Sequence, residues 1–256
     1  MIHSTAIISE KADIAADVSI GPYVVIGDDV SIGGGTQIDS HVVINGPTKI
    51  GENNHIYQFA SIGDDPQDKK YANEPTSLVI GNRNTIREFC TISRGTTQDR
   101  GETIVGDDNW IMAYVHIAHD CVVGNKTIMA NNTTLAGHVH VGDWVICGGF
   151  SGVHQFCKIG AHAFLGMYCG VNRDVPAYTM VSGQPAVPRG INGEGLKRRD
   201  YSAEQIRNIK NAYRLTFRKG KKLSEAIEEI TVLCEQQPEL EPYLESLRSS
   251  ERGVVR

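Results

Sequence analysis

Aliphatic residues return along this chain with a period of six. Isoleucine stands at positions 2, 8, 14, 20, 26, 32, 38, 44, 50, 56 and 62, and again at 80, 86 and 92. The series then resumes one step out of phase, from Val105, Ile111 and Ile117 through Leu135 and Val153 to Leu165 and Val171. A glycine often follows the aliphatic residue, as at Gly21, Gly51, Gly81, Gly124 and Gly160. A small side chain usually stands four places after it, as at Ala12, Thr36, Ala60, Thr133 and Ser151. A six-residue spacing does not lie on one face of a helix, and an amphipathic strand would alternate every two residues. Short strands separated by tight bends and wound into a coil do satisfy it. The aliphatic side chains then stack inward in columns, each burial stabilising by ~1.5–3 kcal/mol at most.

The hexads cover most of residues 1–177, enough for about eight to ten coils, and predict an all-β main domain over 1–187. Two polar stretches break the rhythm, about 64–79 and 94–104. Both are expected to be loops thrown out from the coil, which are natural places for function. After Pro185 and Pro188 the pattern changes, and 188–256 is expected to be a small helical domain. Ser202-Ala203-Glu204-Gln205 has the form of a capping box. Ile206, Ile209, Ala212, Tyr213 and Phe217 follow at helical spacing, ending at Gly220. A second helix is expected from Ser224, and a third after Pro242. Such a domain would cover an open end of the coil, where unpaired strand edges are a hazard.

Composition adds limits. The 256 residues carry a net charge of −5, which argues against a general polyanion binder. Ten of the 25 Lys and Arg nevertheless lie between Lys197 and Lys222, opposed only by Asp200 and Glu204, a patch able to attract an acidic partner. The six cysteines contain no CxxC pair and read as reduced residues of a cytoplasmic protein. No signal peptide or membrane-spanning run is expected.

Six of the nine histidines fall between positions 116 and 162. In His116-Ile117-Ala118-His119-Asp120-Cys121, Ile117 and Cys121 occupy inward columns, so His119 and Asp120 are expected on or near the outer surface. A histidine beside a carboxylate suits general-base work, because its ordinary pKa is near neutral and the carboxylate holds the tautomer. No Ser-His or Cys-His pair is suggested by spacing, which favours direct attack by a substrate hydroxyl.

The run 116–121, with Ala130-Asn131-Asn132, Leu135 to Val139, Val153 to Cys157, Ile56 to Gly63, Asp68 to Pro75 and Glu194-Gly195-Leu196-Lys197-Arg198-Arg199, resembles the UDP-N-acetylglucosamine O-acyltransferases of lipid A synthesis, hexapeptide-repeat enzymes. The resemblance covers the whole chain. It implies a left-handed triangular parallel β-helix with three hexads to a lap. Such a lap places Gly137 and Gln155 in the column of His119, and His138 and Phe156 in that of Asp120. The resemblance also implies a homotrimer with its clefts between neighbouring prisms, and transfer of an (R)-3-hydroxyacyl chain from acyl carrier protein to the 3-hydroxyl of the sugar. No metal or cofactor is implied beyond the phosphopantetheine arm of the carrier.

The same resemblance assigns roles. His119 would be the general base, Asp120 would position it, and the Gly137 N–H would face the oxyanion. Gln67, Asp68 and Lys70 would hold the sugar and diphosphate, while His116, His138, His154 and Gln155 would line the sugar and pantetheine path. Asn192, Glu194, Arg198 and Arg199 would meet the nucleotide, although Asn192-Gly193-Glu194 and Asp200 depart from the family's usual residues. Met167 stands where some relatives have glycine, which implies a shorter preferred acyl chain. Alternatives are a zinc-dependent, carbonic-anhydrase-like β-helix enzyme using His116, His119 and His138, a non-catalytic scaffold, and an N-acyltransferase of the next pathway step. The last is disfavoured because the hexads start at Ile2, where those relatives carry an extra N-terminal domain.

Overall fold

In a computed structural model describing residues 1–256, the hexads form a prism with three parallel sheets as its faces. The first sheet runs from Ile7–Ile8 to Gly170–Val171, the second from Asp13–Ile14 to Lys158–Ile159, and the third from Ser19–Ile20 to Thr179–Ser182. Successive strands visit the three sheets in turn, so the chain meets each face once per lap. The architecture is the expected left-handed parallel β-helix with a small helical C-terminal part.

Register records both loops. Ile8 pairs with Ile26 and Ile117 with Leu135, three hexads on in each case. Across the first loop Ile50 pairs with Ile80, five hexads on. Across the second, Ile80 pairs with Val105, four hexads and a single position on. The first insertion is therefore two whole hexads, and the phase of the sequence survives it. The second is one hexad and a single extra position, which explains the slip at Val105. Both leave the first sheet, at Asp64 and Ser93, and rejoin the second, at Ser77 and Glu102. They therefore emerge one above the other from the same corner of the prism.

The core is the stacked aliphatic set, with Ile44, Ile56, Ile86, Ile117, Leu135 and Leu165 fully buried. All six cysteines are free and buried. Burial pushes the Cys121 and Cys147 thiols up to about 12, so they are inert as nucleophiles at neutral pH.

An antiparallel strand, Val187–Ile191, closes the third sheet and leads into the helices; the expected boundary at 187/188 falls at its start. Helix α1 spans Gly193–Lys197, α2 Ala203–Phe217, α3 Leu223–Cys234 and α4 Glu241–Arg248. The Ser202/Gln205 capping box is formed as the sequence predicts, but α2 stops at Phe217 rather than Gly220. These helices seat on the last coil. Tyr178 donates to the Glu239 carbonyl at 2.9 Å, and the Ala177 N–H to Ser246 Oγ at 2.9 Å. The buried Asp174 carboxylate accepts from Ser250 Oγ and the Glu251 N–H, fastening the C-terminal tail. No helix is long and apolar enough to cross a membrane.

Candidate active site

Winding brings His119 and Gly137 together. The N–H of His138 donates to the His119 carbonyl at 3.0 Å, and that of Phe156 to the Gly137 carbonyl at 3.1 Å, so 119, 137 and 155 form one corner column. A Cβ on residue 137 would lie 2.7 Å from His119 Nε2 and 2.5 Å from Cε1, so only glycine permits this approach. The Gly137 N–H donates to no group of the chain.

His119 Nδ1 lies 2.9 Å from Asp120 Oδ2. Asp120 is not at the surface, as its place on the corner predicts, but completely buried. The second loop folds over it: Thr96 donates its backbone N–H at 3.0 Å and its hydroxyl at 2.6 Å to the carboxylate. The Asp120 N–H donates to Thr103 Oγ1 at 2.8 Å. Burial drives the Asp120 carboxyl pKa up, but the bonds from His119 and Thr96 outweigh it and hold the group below the usual carboxylate range. An ionised carboxylate only accepts, so Nδ1 of His119 carries the proton and Nε2 keeps a free lone pair.

The loops also hold each other. The buried Arg94 guanidinium donates to the Gly63 carbonyl at 2.5 Å and Tyr71 Oη at 3.1 Å, and pairs with Asp65. This ties the base of the second loop to the first, which carries Gln67, Asp68 and Lys70. Those three line one cleft of about 980 Å³ with His116, His119, Gly137, His138 and Gln155. His116 Nδ1 is 2.7 Å from Thr91 Oγ1; burial, then repulsion by His119, lowers its pKa. His138 stacks on Phe156 and bonds Asp99 Oδ2 at 2.8 Å.

Other expected residues lie elsewhere. His154 is exposed and lines a neighbouring groove with Gly152, Tyr168 and Gly170. Met167, 64% exposed, sits beside Gly149 at the corner between the third and first sheets. Asn192, Glu194, Arg198 and Arg199 gather at the remaining corner. Asn192 caps α1 and donates to the His162 carbonyl, and Glu194 pairs with Lys197. Arg198 is exposed, whereas Arg199 donates to His162 Nδ1 and the Trp144 carbonyl, both at 3.0 Å, and packs over the Trp144 ring. Burial, then the Arg199 charge, pulls the His162 imidazole down to about 4. A single chain thus does not unite these residues with His119.

Thr96, Asp99, Arg100, Lys158 and Glu251 belong to this neighbourhood but are not singled out by the sequence. The widened gap between Ile92 and Val105 was the available signal, since it sets the extra loop directly over the His119 corner.

Residues 174–255 match the model described as "Udp N-acetylglucosamine O-acyltransferase; Domain 2", and 102–137 that of bacterial transferase hexapeptide repeats. An acyl-[acyl-carrier-protein]–UDP-N-acetylglucosamine O-acyltransferase of Thiobacillus denitrificans is 58% identical, with 100% of this chain and 99% of that one aligned. The chain belongs to the UDP-N-acetylglucosamine O-acyltransferase family. Like its relatives, this acyltransferase keeps the whole architecture. A solved LpxA from Acinetobacter baumannii superposes with a TM-score of 0.98 at 51% identity, over 100% of this chain and 99% of the other. The UDP-N-acetylglucosamine acyltransferase of Arabidopsis does so at 0.87 and 37%, over all of both chains.

Proposed function

We propose that this acyltransferase moves an (R)-3-hydroxyacyl group from acyl carrier protein to the 3-hydroxyl of UDP-N-acetylglucosamine in the cytoplasm, as a step of lipid A synthesis. The observation that carries the reading is the pairing of His119, backed by ionised Asp120, with the unused Gly137 N–H in one cleft. His119 Nε2 takes the proton as the sugar oxygen attacks the thioester. The Gly137 N–H donates to the oxyanion, a contribution of ~3–4 kcal/mol to the transition state. Collapse expels the pantetheine thiolate, to which imidazolium returns the proton. Direct transfer is supported by the burial of Cys121 behind the corner, out of reach of a thioester.

Gln67, Asp68 and Lys70 bind the sugar and diphosphate from the first loop, with His116, His138 and Gln155 on the opposing wall. His154 lies on the pantetheine side. The nucleotide residues Asn192, Glu194, Arg198 and Arg199, and the acyl ruler Met167, stand at other corners, so a complete site draws corners from neighbouring copies. Side-by-side packing in a homotrimer provides this. It is supported by exposed, stacked aromatics along the corner between the third and first sheets, among them Phe59, Phe89 and Tyr114. The basic stretch 197–222 faces the acidic carrier protein.

The test is an acyl-transfer assay with UDP-N-acetylglucosamine and a panel of hydroxyacyl carrier proteins. Wild type is expected to act, His119→Ala to lose on the order of 10²–10⁴-fold in kcat while remaining folded, and Met167→Gly to shift preference to longer chains. Equal activity of wild type and His119→Ala would sink the mechanism; unchanged chain preference would remove Met167 as ruler.

A further inference from the structure

The active corner contains more ligating chemistry than a general base needs. A nitrogen of His119, a carboxylate oxygen of Asp120 and a nitrogen of His138 lie within 4.8 Å of one another. The separations are 2.9 Å from His119 Nδ1 to Asp120 Oδ2 and 3.8 Å from His138 Nδ1 to the same oxygen. Donor atoms around a tetrahedral Zn²⁺, with bonds of about 2.1 Å, sit about 3.4 Å apart. The observed separations bracket that spacing. Asp99 Oδ2 adds a fourth donor, 2.8 Å from His138 Nδ1 on the half-exposed second loop.

The geometry points to an inhibitory site for a borderline divalent cation of the Zn²⁺ or Co²⁺ class, held by His119, Asp120 and His138 and completed by Asp99. Two features of the frame favour it. Asp120 and His138 occupy the same left-handed corner position one lap apart, with φ of 58° and 63°, so their side chains issue in the same direction. The cross-lap hydrogen bond from the His138 N–H to the His119 carbonyl fixes the third donor relative to them. A cation entering between the rings replaces the His138–Asp99 hydrogen bond, which frees the Asp99 carboxylate to take the fourth position. Asp120 keeps the Thr96 bonds that orient its carboxylate, as outer partners commonly do for metal ligands.

The consequence for the reaction follows from tautomers. Without metal, the His119 proton is on Nδ1, against Asp120, and Nε2 is the base. A metal ion on Nδ1 leaves the one ring proton on Nε2, which then donates and has no lone pair for the sugar hydroxyl. The metal therefore switches the base off, with the Asp99 carboxylate exchanging its bond to His138 for one to the metal. Oxygen-preferring Mg²⁺, which demands octahedral geometry, does not fit two imidazoles at this spacing.

The switching step rests on the general-base reading, whereas the binding step does not, and one experiment separates them. Full-length, chelator-stripped protein is titrated with Co²⁺ in equilibrium dialysis and by visible absorption, then assayed for acyl transfer with and without Zn²⁺. One tetrahedral Co²⁺ per chain is expected, displaced by Zn²⁺ and not by Mg²⁺. Asp99→Asn should weaken binding by about tenfold or more, and Asp120→Asn further still. Zn²⁺ should inhibit wild type and EDTA should restore it, with Asp99→Asn needing a correspondingly higher Zn²⁺ concentration. Co²⁺ binding that is absent, or unchanged in both variants, overturns the site. A stripped protein that regains activity on adding Zn²⁺ overturns its inhibitory sense. Metal binding in a protein inactive on every donor would count against the assigned reaction and leave the site standing.

Discussion

Two side-chain pairs, each with a carboxylate, stand at the same corner of the prism, where the first sheet turns into the second, and they differ in everything but position. Lys11 and Asp28, in the first laps, meet at 2.7 Å with side chains 68% and 56% exposed. His119 and Asp120 meet at 2.9 Å with side chains 14% and 0% exposed. The repeat builds both platforms alike. What separates them is the pair of loops inserted between, which roof the second pair and leave the first in water. An exposed pair is screened and free to separate. The roofed carboxylate is fixed by Thr96 and made to hold one tautomer of its histidine. The corner supplies position; the roof supplies chemistry.

The strongest way to break the contrast is to neutralise the roofed carboxylate. Asp120→Asn should lower kcat on the order of 10²-fold or more, because an amide no longer holds Nδ1–H against an anion. A loss under about fivefold, measured in the acyl-transfer assay, would make Asp120 a packing residue. Opening the roof is the gentler change. Thr96→Val deletes one hydroxyl donor to Asp120 and should lower kcat about tenfold and stability by ~1 kcal/mol in urea unfolding. If kcat stays at the wild-type value, the roof does not serve the histidine.

Acid stability sharpens the comparison at another corner. The folded protein holds His162 at about 4, below its ordinary 6.5, because it is buried and accepts from Arg199. Below 6.5 the unfolded chain binds a proton that the native state refuses. Stability from this group is therefore full above 6.5 and declines as pH falls towards 4. His162→Asn should flatten melting temperature against pH in that window relative to wild type. An identical slope would refute the assignment. Smallest of all is the unroofed pair: Lys11→Ala should leave both melting temperature and kcat unchanged, and a measurable loss of either would show that the open corner matters.

Much of this was legible by counting. Ile117 and Cys121 mark the inward columns, and the three-hexad lap implied by the family resemblance carries His119 onto Gly137 and, a lap later, onto Gln155. The interruption near residue 68 pointed to the loop that brings Gln67, Asp68 and Lys70 into the cleft. The burial of Asp120 is not legible in the sequence, because its cover is Thr96 from the inserted loop, and nothing in the period says how an insertion folds. Nor is the engagement of Arg199 by Trp144 and His162 legible in the sequence, since the helical segment shares no register with the coil.

The amino-acid sequence alone settled the period and the inward columns, and the lap implied by the family resemblance added which corner carries the histidines, because a hydrogen-bonded periodic lattice converts distance along the chain into position. Tertiary structure alone decided how deep Asp120 lies, which donors orient it, and where the helices place their charges. Those depend on packing between segments outside the lattice, where residue number no longer measures place.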